Sequence, residues 1–505
     1  MIFSAVPLFV AALVACRSAP IAPPPATVVA EHTAVPLSAD AVTRDLSIFE
    51  QAMIELHPGL ARYQTVDAFR ESCAAVRGKF AGGATRRALF EELTRLSASI
   101  RCGHTFPNPA NTAEELRAEL FGTQRCLPVA FRCFDGRVVA MRGVGDASSI
   151  PRGAEIIAVD GRPVAELLSR LVPLVRADGG NDAKRYALLE TESPDPVLTF
   201  DTLLPFVAPP HDGGWSVTLR DRPEDPERTL FLRAVPSSER MPPNPPELEK
   251  DAPLWSKREV APGVLLVAMP TWVVYKTKWD WKAWLDRAID EAIERGDRAI
   301  VFDLRGNEGG SSVGDEIIAR LVATRAALPT FERKVRYRSV PDALTPYLTT
   351  WDPSFRSWGS AASDEVDADG LRRLVREGES ADGDVIEPRG RRFEGKVVVL
   401  VGPENSSATF EFALAVKRLG LGTLVGRPTG GNCRGINGGA FFFLTLPESH
   451  IEIDVPLIGF YPKEGAASQP DAGVEPDVAV SDTPTDVASG RDAPLQAALA
   501  IVGVR

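Results

Sequence analysis

Histidine is scarce in this sequence. His32, His57, His104, His211 and His450 are the only five in 505 residues, and no two stand in an HExxH or other ligand spacing. Hydrolysis at a bound metal therefore has no support in the pattern, and no metal is implied. Cysteine is equally sparse, with six residues and no CxxC pair, so the spacing gives a zinc site no basis. No run of Lys or Arg stands out and the formal net charge is −11; the electrostatic footprint of a nucleic-acid partner is missing. The longest uncharged apolar stretch, Met1 to Ala15, is too short to span a bilayer comfortably. No internal repeat is found.

What is present begins at that stretch. MIFSAVPLFVAALVAC reads as the apolar region of a secretory signal, though without the usual preceding Lys or Arg. Leu13-Val14-Ala15-Cys16 resembles a lipobox, so residues 1–16 are predicted to be a leader and Cys16 the site of lipid attachment. The plainer alternative is a signal peptide with a chance cysteine. Residues 17–39, Pro/Ala-rich from Ala19 to Ala30, suit a tether holding a folded body off a membrane. The expectation is an exported protein, periplasmic or anchored at the outer membrane through an acylated Cys16. Export permits a disulfide between two of Cys73, Cys102, Cys126 and Cys133, while Cys433 completes an odd set.

Residues 40–120 read as helical. VTRDLSIFEQAMIEL puts Leu46, Phe49, Met53 and Leu56 on one stripe, closed by His57-Pro58-Gly59; VDAFRESCAAVRGKF follows, then TRRALFEELTRLSASI with Thr85 as N-cap. Residues 121–240 change to short strands, with a hairpin around Asp135-Gly136 and a strand, a tight Asp160-Gly161 turn and a helix in GAEIIAVDGRPVAELLSRLVPLV. That last segment resembles the carboxylate-binding half of a PDZ domain. Met241 to Leu254 reads as an exposed linker. From 255 to 505 strands and helices alternate (VLLVAMP, WKAWLDRAIDEAIERG, RAIVFDL, GDEIIARLVAT, KVVVLVG, TFEFALAVKRLG, TLVGRP) around a polar, loop-rich insertion from Pro341 to Arg391, as in an α/β layered core. FFFLTL and HIEIDVPLIGF look like paired strands.

Three local patterns bear on chemistry. VFDLRGNEGG carries a strand into a turn with two consecutive glycines, Gly309 and Gly310, before a helix. It is neither GxGxxG nor a phosphate loop, since no GK[ST] follows, but N–H groups at such a turn suit a developing oxyanion. VVVLVGPENSSATFEFA ends a buried strand at Gly402 and opens a helix after Ser406-Ser407-Ala408. The plain reading of that serine is an N-cap. The same geometry presents a hydroxyl at the carboxyl end of a strand, with the Ala408 N–H beside it. The third pattern is His104 in RCGHT; a lone loop histidine is commonly a surface or capping residue.

In order along the chain, HPG, GHT, DLRGNEGG, SSA opening a helix, VGRPTGG and GVEPDV resemble the S41 serine peptidases, the group of the tail-specific processing peptidases, the tricorn core and the interphotoreceptor retinoid-binding modules. The likeness runs from about Leu46 to Val480. It implies a crotonase/ClpP-like spiral α/β catalytic domain, an N-terminal helical cap and a β-rich, PDZ-like module. It also implies a peptidase acting on polypeptides through an acyl-enzyme, with no cofactor. Ser407 falls on the nucleophile, Ala408 N–H on one oxyanion donor, and Gly309 or Gly310 on the other. Glu411 stands four residues after Ser407 rather than three, which leaves Ser406 as the alternative; the distance back from Gly426 favours Ser407.

Processing peptidases of the group use a lysine base in a segment that here reads Gly426-Arg-Pro-Thr429-Gly-Gly-Asn432, and an amide does not accept that proton. The tricorn-like branch uses a histidine, and His104 falls on it. The orienting carboxylate is then sought near GVEPD among Asp471, Glu464 and Glu475, with Asp471 preferred. The rival reading is a non-catalytic ligand- or peptide-binding protein on the same scaffold, to which the coexistence of Ser407, His104 and the glycine turn is opposed.

Overall fold

The apolar stripe read in the first helix is its buried face. In the computed structural model, which describes residues 36–504 except 110, 122–124, 135, 193–196, 241–251, 329–330, 376–383 and 464, Leu46, Phe49, Met53 and Leu56 are fully buried on the helix Ala39–Leu56. Ser38 caps it by accepting the Ala41 N–H. Thr65 and Thr85 cap the next two helices, Val66–Lys79 and Arg86–Ser99, in the same way, satisfying donors that a helix start leaves open. The leader with Cys16, most of the tether, most of the Met241–Leu254 linker, Asp135 and Glu464 lie outside the described residues.

The α/β class expected for the C-terminal half is what is observed. Six strands lie in the order Val478–Ala479, Thr423–Gly426, Lys396–Val401, Ala299–Asp303, Val264–Ala268, Ser256–Ala261. All neighbours are parallel except the last pair. A parallel sheet must be covered on both faces, and alternate side chains serve each face. Ile300, Phe302, Val399 and Val401 pack with helices Trp281–Arg295, Val313–Ala319 and Ala408–Leu419. Val301, Val398 and Leu400 pack with Ala493–Ile501. Since Asp303 pairs in register with Leu400, the turns leaving these two strands emerge side by side at the carboxyl edge, where such sheets hold their ligands.

The other parts differ from their sequence reading in one respect each. The N-terminal helices are not a separately cored cap. Phe49, Leu93 and Ile100 share one hydrophobic core with Phe442, Leu444, Ile453 and Val455, residues of a five-stranded antiparallel sheet built mainly on Ile436–Thr445 and Glu452–Pro462. The insertion after Pro341 is not merely a polar loop, since Leu344, Leu348, Ala362 and Leu374 enter the same core. The β-rich region has the expected strand Glu155–Val159 and helix Val164–Leu171. It also carries two unforeseen helices, Asp182–Leu189 and Thr199–Val207, packed on its sheet.

The permitted disulfide is not formed: Cys73, Cys102, Cys126, Cys133 and Cys433 are all free and buried. No described helix is long and apolar enough to cross a membrane.

Candidate active site

Asn405 ties together the two turns at the carboxyl edge. Its Oδ1 accepts the Gly402 N–H at 2.8 Å, and its Nδ2 donates to Leu304 O at 2.6 Å and Asn307 O at 2.9 Å. Thr409 Oγ1 adds a bond to Asn307 O at 3.0 Å. The turn after Val401 is thereby fixed on the DLRGNEGG turn, and Ser407 is left as the last residue before the helix Ala408–Leu419.

Ser407 does not cap that helix. Its side chain makes no cap hydrogen bond, and its backbone stands at φ 52°, ψ −128° rather than in the extended region an N-cap adopts. A left-handed φ on a non-glycine residue costs about 1–3 kcal/mol and persists where surrounding structure enforces it. The same strained strand-to-helix turn is what exposes the nucleophile of serine hydrolases. Ser407 is half-buried on the wall of a cavity of about 450 Å3, and no hydrogen bond engages its Oγ among the described residues. Ser406, by contrast, is buried and donates to Glu308 O at 3.2 Å.

The two glycines have different roles. A Cβ on Gly309 would lie 2.8 Å from Ser406 O, 3.0 Å from Ala408 N and 3.1 Å from Ser407 Cβ, so only glycine lets this turn press on the serine. The Gly309 N–H donates to Asn307 Oδ1 at 2.9 Å and is engaged. Among the described residues the N–H groups of Gly310 and Ala408 have no partner within the protein, and both residues line the cavity with Ser407.

His104 is carried by a loop that a second histidine secures. His57 Nδ1 accepts the Gly59 N–H at 3.0 Å, so its Nε2 carries the proton it donates to Thr105 Oγ1 at 2.9 Å. Complete burial, with help from the Arg62 and Arg336 charges, pushes His57 down to about 3, and it stays neutral. On the other side of His104, Gly103 donates its N–H to Asp178 Oδ1 at 3.0 Å, and its carbonyl accepts from Arg176 Nε at 3.1 Å.

The His104 Nδ1 is buried with no hydrogen-bond partner. A ring nitrogen, the Cys102 sulfur and an Asp178 carboxylate oxygen lie within 4.8 Å of one another. Burial lowers the pKa of His104, partly opposed by the negative charges of Asp178 and Glu308.

His104, Asp178, Ser406 and Glu308 line a second cavity of about 390 Å3. Gly438 connects the two: it lines the Ser407 cavity, and a Cβ on it would stand 3.9 Å from His104 Cε1. His104 and Ser407 share no hydrogen bond. Glu308 is held by Lys184 and, at 3.7 Å, by Arg176. Its side chain is 41% exposed toward this cavity, and the two cations hold its carboxyl down at about 2.

Asp471 is not brought to His104. Its carboxylate accepts from Tyr63 Oη at 3.1 Å, Gly180 N at 2.9 Å and Asn432 Nδ2 at 2.8 Å. Asn432 Nδ2 also donates to Asp178 O at 3.0 Å, so the amide at the lysine position braces the segment carrying Asp178. Glu475 is exposed. The carboxylate beside His104 is therefore Asp178, from a stretch, RADGGND, whose composition reads as an ordinary turn. Asp178, Arg176 and Lys184 carry no local signal that sequence reasoning would have caught. Glu308 stands inside the VFDLRGNEGG motif, whose glycines are its stronger signal.

Residues 263–480 match the sequence profile of Peptidase family S41. Two solved structures share the fold. Mature CPAF is 16% identical with a TM-score of 0.58, over 89% of this chain and 94% of that one. Mature CPAF complexed with lactacystin is 15% identical with a TM-score of 0.60, over 92% of this chain and 98% of that one. A search of the curated proteins finds no match.

Proposed function

We propose, from the match of residues 263–480 to peptidase family S41, that the chain is a serine endopeptidase with Ser407 as nucleophile. The observation that carries this reading is Ser407 itself: strained backbone, uncapped hydroxyl, and glycine-only contact with the turn at Gly309. Nothing in helix capping accounts for that combination.

In the proposed reaction His104, neutral because burial lowers its pKa, takes the Ser407 Oγ proton as Oγ attacks a peptide carbonyl. The N–H groups of Gly310 and Ala408 receive the oxyanion. His104 then returns the proton to the leaving amine, and water resolves the acyl-enzyme. Asp178, in place of Asp471, is the carboxylate placed to orient the imidazole, and its hydrogen bond to Nδ1 is likewise made only on closure. The His104–Ser407 hydrogen bond is not made in the free protein, so substrate binding must close it, as apo enzymes commonly require. Export and acylation at Cys16 belong to the same proposal and rest on residues 1–16 alone.

The binding-protein reading draws on that same open pair. Fluorophosphonate labelling separates the two. The endopeptidase reading expects labelling of wild type and Ser406→Ala, and loss in Ser407→Ala and His104→Ala. A folded wild type that neither labels nor hydrolyses a casein substrate favours the binding protein.

A further inference from the structure

The spacing of histidines and cysteines in the sequence implied no metal, yet the fold assembles three metal-ligating side chains that are remote from that spacing. Cys102 and His104 flank Gly103, and the Gly103 N–H bond brings in Asp178 from 75 residues along the chain. One donor atom from each of the three lies within 4.8 Å of the others. Donors around a single zinc sit roughly 3–4 Å apart, so a small inward movement suffices. Two observations mark the group as unfinished. His104 Nδ1 is a buried nitrogen with no partner, and Asp178 is a carboxylate only 1% exposed.

The geometry points to a divalent transition-metal site of the zinc class, formed by Cys102 Sγ, His104 Nδ1 and Asp178, whose occupancy switches off His104. A thiolate with an imidazole selects zinc over calcium or magnesium. Thiolate, carboxylate and neutral imidazole neutralise a divalent ion in this buried place. His104 and Asp178 line the 390 Å3 cavity, which offers the route of entry and room for a water as fourth ligand. The backbone N–H of His104 already donates to Cys102 Sγ at 3.4 Å, and a hydrogen bond to the sulfur supports a metal-bound thiolate.

The chemistry balances without any oxidant or reductant. The ion displaces the Cys102 thiol proton to solvent as the S–metal bond forms, and imidazole binds without losing a proton. With the ion on Nδ1, the imidazole's one proton must sit on Nε2, and Nε2 no longer accepts a proton from Ser407. The loss of hydrolysis rests on the reading of His104 as base; the metal site does not.

The test uses the full chain, stripped with chelator and titrated with zinc alone, then with cadmium, whose bond to a thiolate absorbs in the ultraviolet. Expected are one tightly held zinc per chain, a cadmium–thiolate band, and the loss of both in Cys102→Ser. Asp178→Asn lowers zinc affinity at least about tenfold, which decides the matter should Cys102→Ser fail to fold. Fluorophosphonate labelling of Ser407 is suppressed by zinc in the wild type and is insensitive to zinc in Cys102→Ser. No retained zinc, or equal retention by folded Cys102→Ser, overturns the site. A chain that binds zinc with the thiolate band but never labels keeps the metal site and overturns the peptidase reading instead.

Discussion

Replacing His57 by glutamine isolates the contribution of one uncharged imidazole to the stability of the His104 loop. In the folded protein His57 accepts a proton only near pH 3, against 6.5 for an exposed histidine. Between those values the unfolded chain holds one more proton than the folded one, so stability is present above pH 6.5 and is lost as pH falls. The full difference, (6.5 − 3) × 1.36, is about 5 kcal/mol. Over the accessible span from pH 7 to 4 it is about 3 kcal/mol. Glutamine removes the titration while keeping a side-chain N–H to donate to Thr105 Oγ1. Urea unfolding of both proteins across this range gives the difference curve. Groups common to the two cancel in it, among them Asp454, which burial raises to about 7 and whose effect has the opposite sign. The wild type should lose about 1.4 kcal/mol per pH unit more than His57→Gln below pH 6.5. A difference that stays flat with pH would refute a neutral, buried His57.

Gly309→Ala should leave a folded protein whose turnover on a fluorogenic peptide falls at least about a hundredfold, because the added Cβ meets Ser406 O and Ala408 N at 2.8 and 3.0 Å. Ser407→Gly should raise stability by about 1 kcal/mol in thermal unfolding by relieving the positive φ, while abolishing labelling. Asp178→Asn should cut kcat by about 10²–10⁴-fold. Asp471→Asn should instead lower Tm, since its carboxylate joins Tyr63, Gly180 and Asn432. On the acid side kcat/KM should fall only once pH drops below the usual histidine range, because burial holds His104 neutral there; an acid limb centred above 6.5 would count against it.

Elements with a strong period are legible in the sequence alone. The first helix follows from a stripe that is fully buried, and the strands Ala299–Asp303 and Lys396–Val401 follow from apolar runs that a doubly covered parallel sheet requires. Legibility failed where residues distant in sequence decide the outcome. Asp178 sits in a turn like any other, and only the Gly103 bond gives it a role. Nearness to GVEPD favours Asp471, but Tyr63 and Gly180, distant from each other in the N-terminal half, take up its carboxylate. Nor does the periodicity of the N-terminal helices say what they pack on. Their stripe is the same whether its floor is another helix or, as here, a sheet assembled some 400 residues later.

That shared core dictates an order of events during synthesis. Phe49 and Leu93 leave the ribosome long before Ile453 and Val455, the residues they are buried against, so the early helices have no floor to settle on. Closing so long a loop is entropically slow to be rewarded. The loop bearing His104 follows the helix Arg86–Ser99, and it takes its final place only when the late strands arrive. A nascent or truncated chain is therefore not a weakened version of the finished molecule: lacking the sheet, it has neither the helical layer nor the histidine in position, and the cell's quality-control machinery meets it as an unfolded polypeptide.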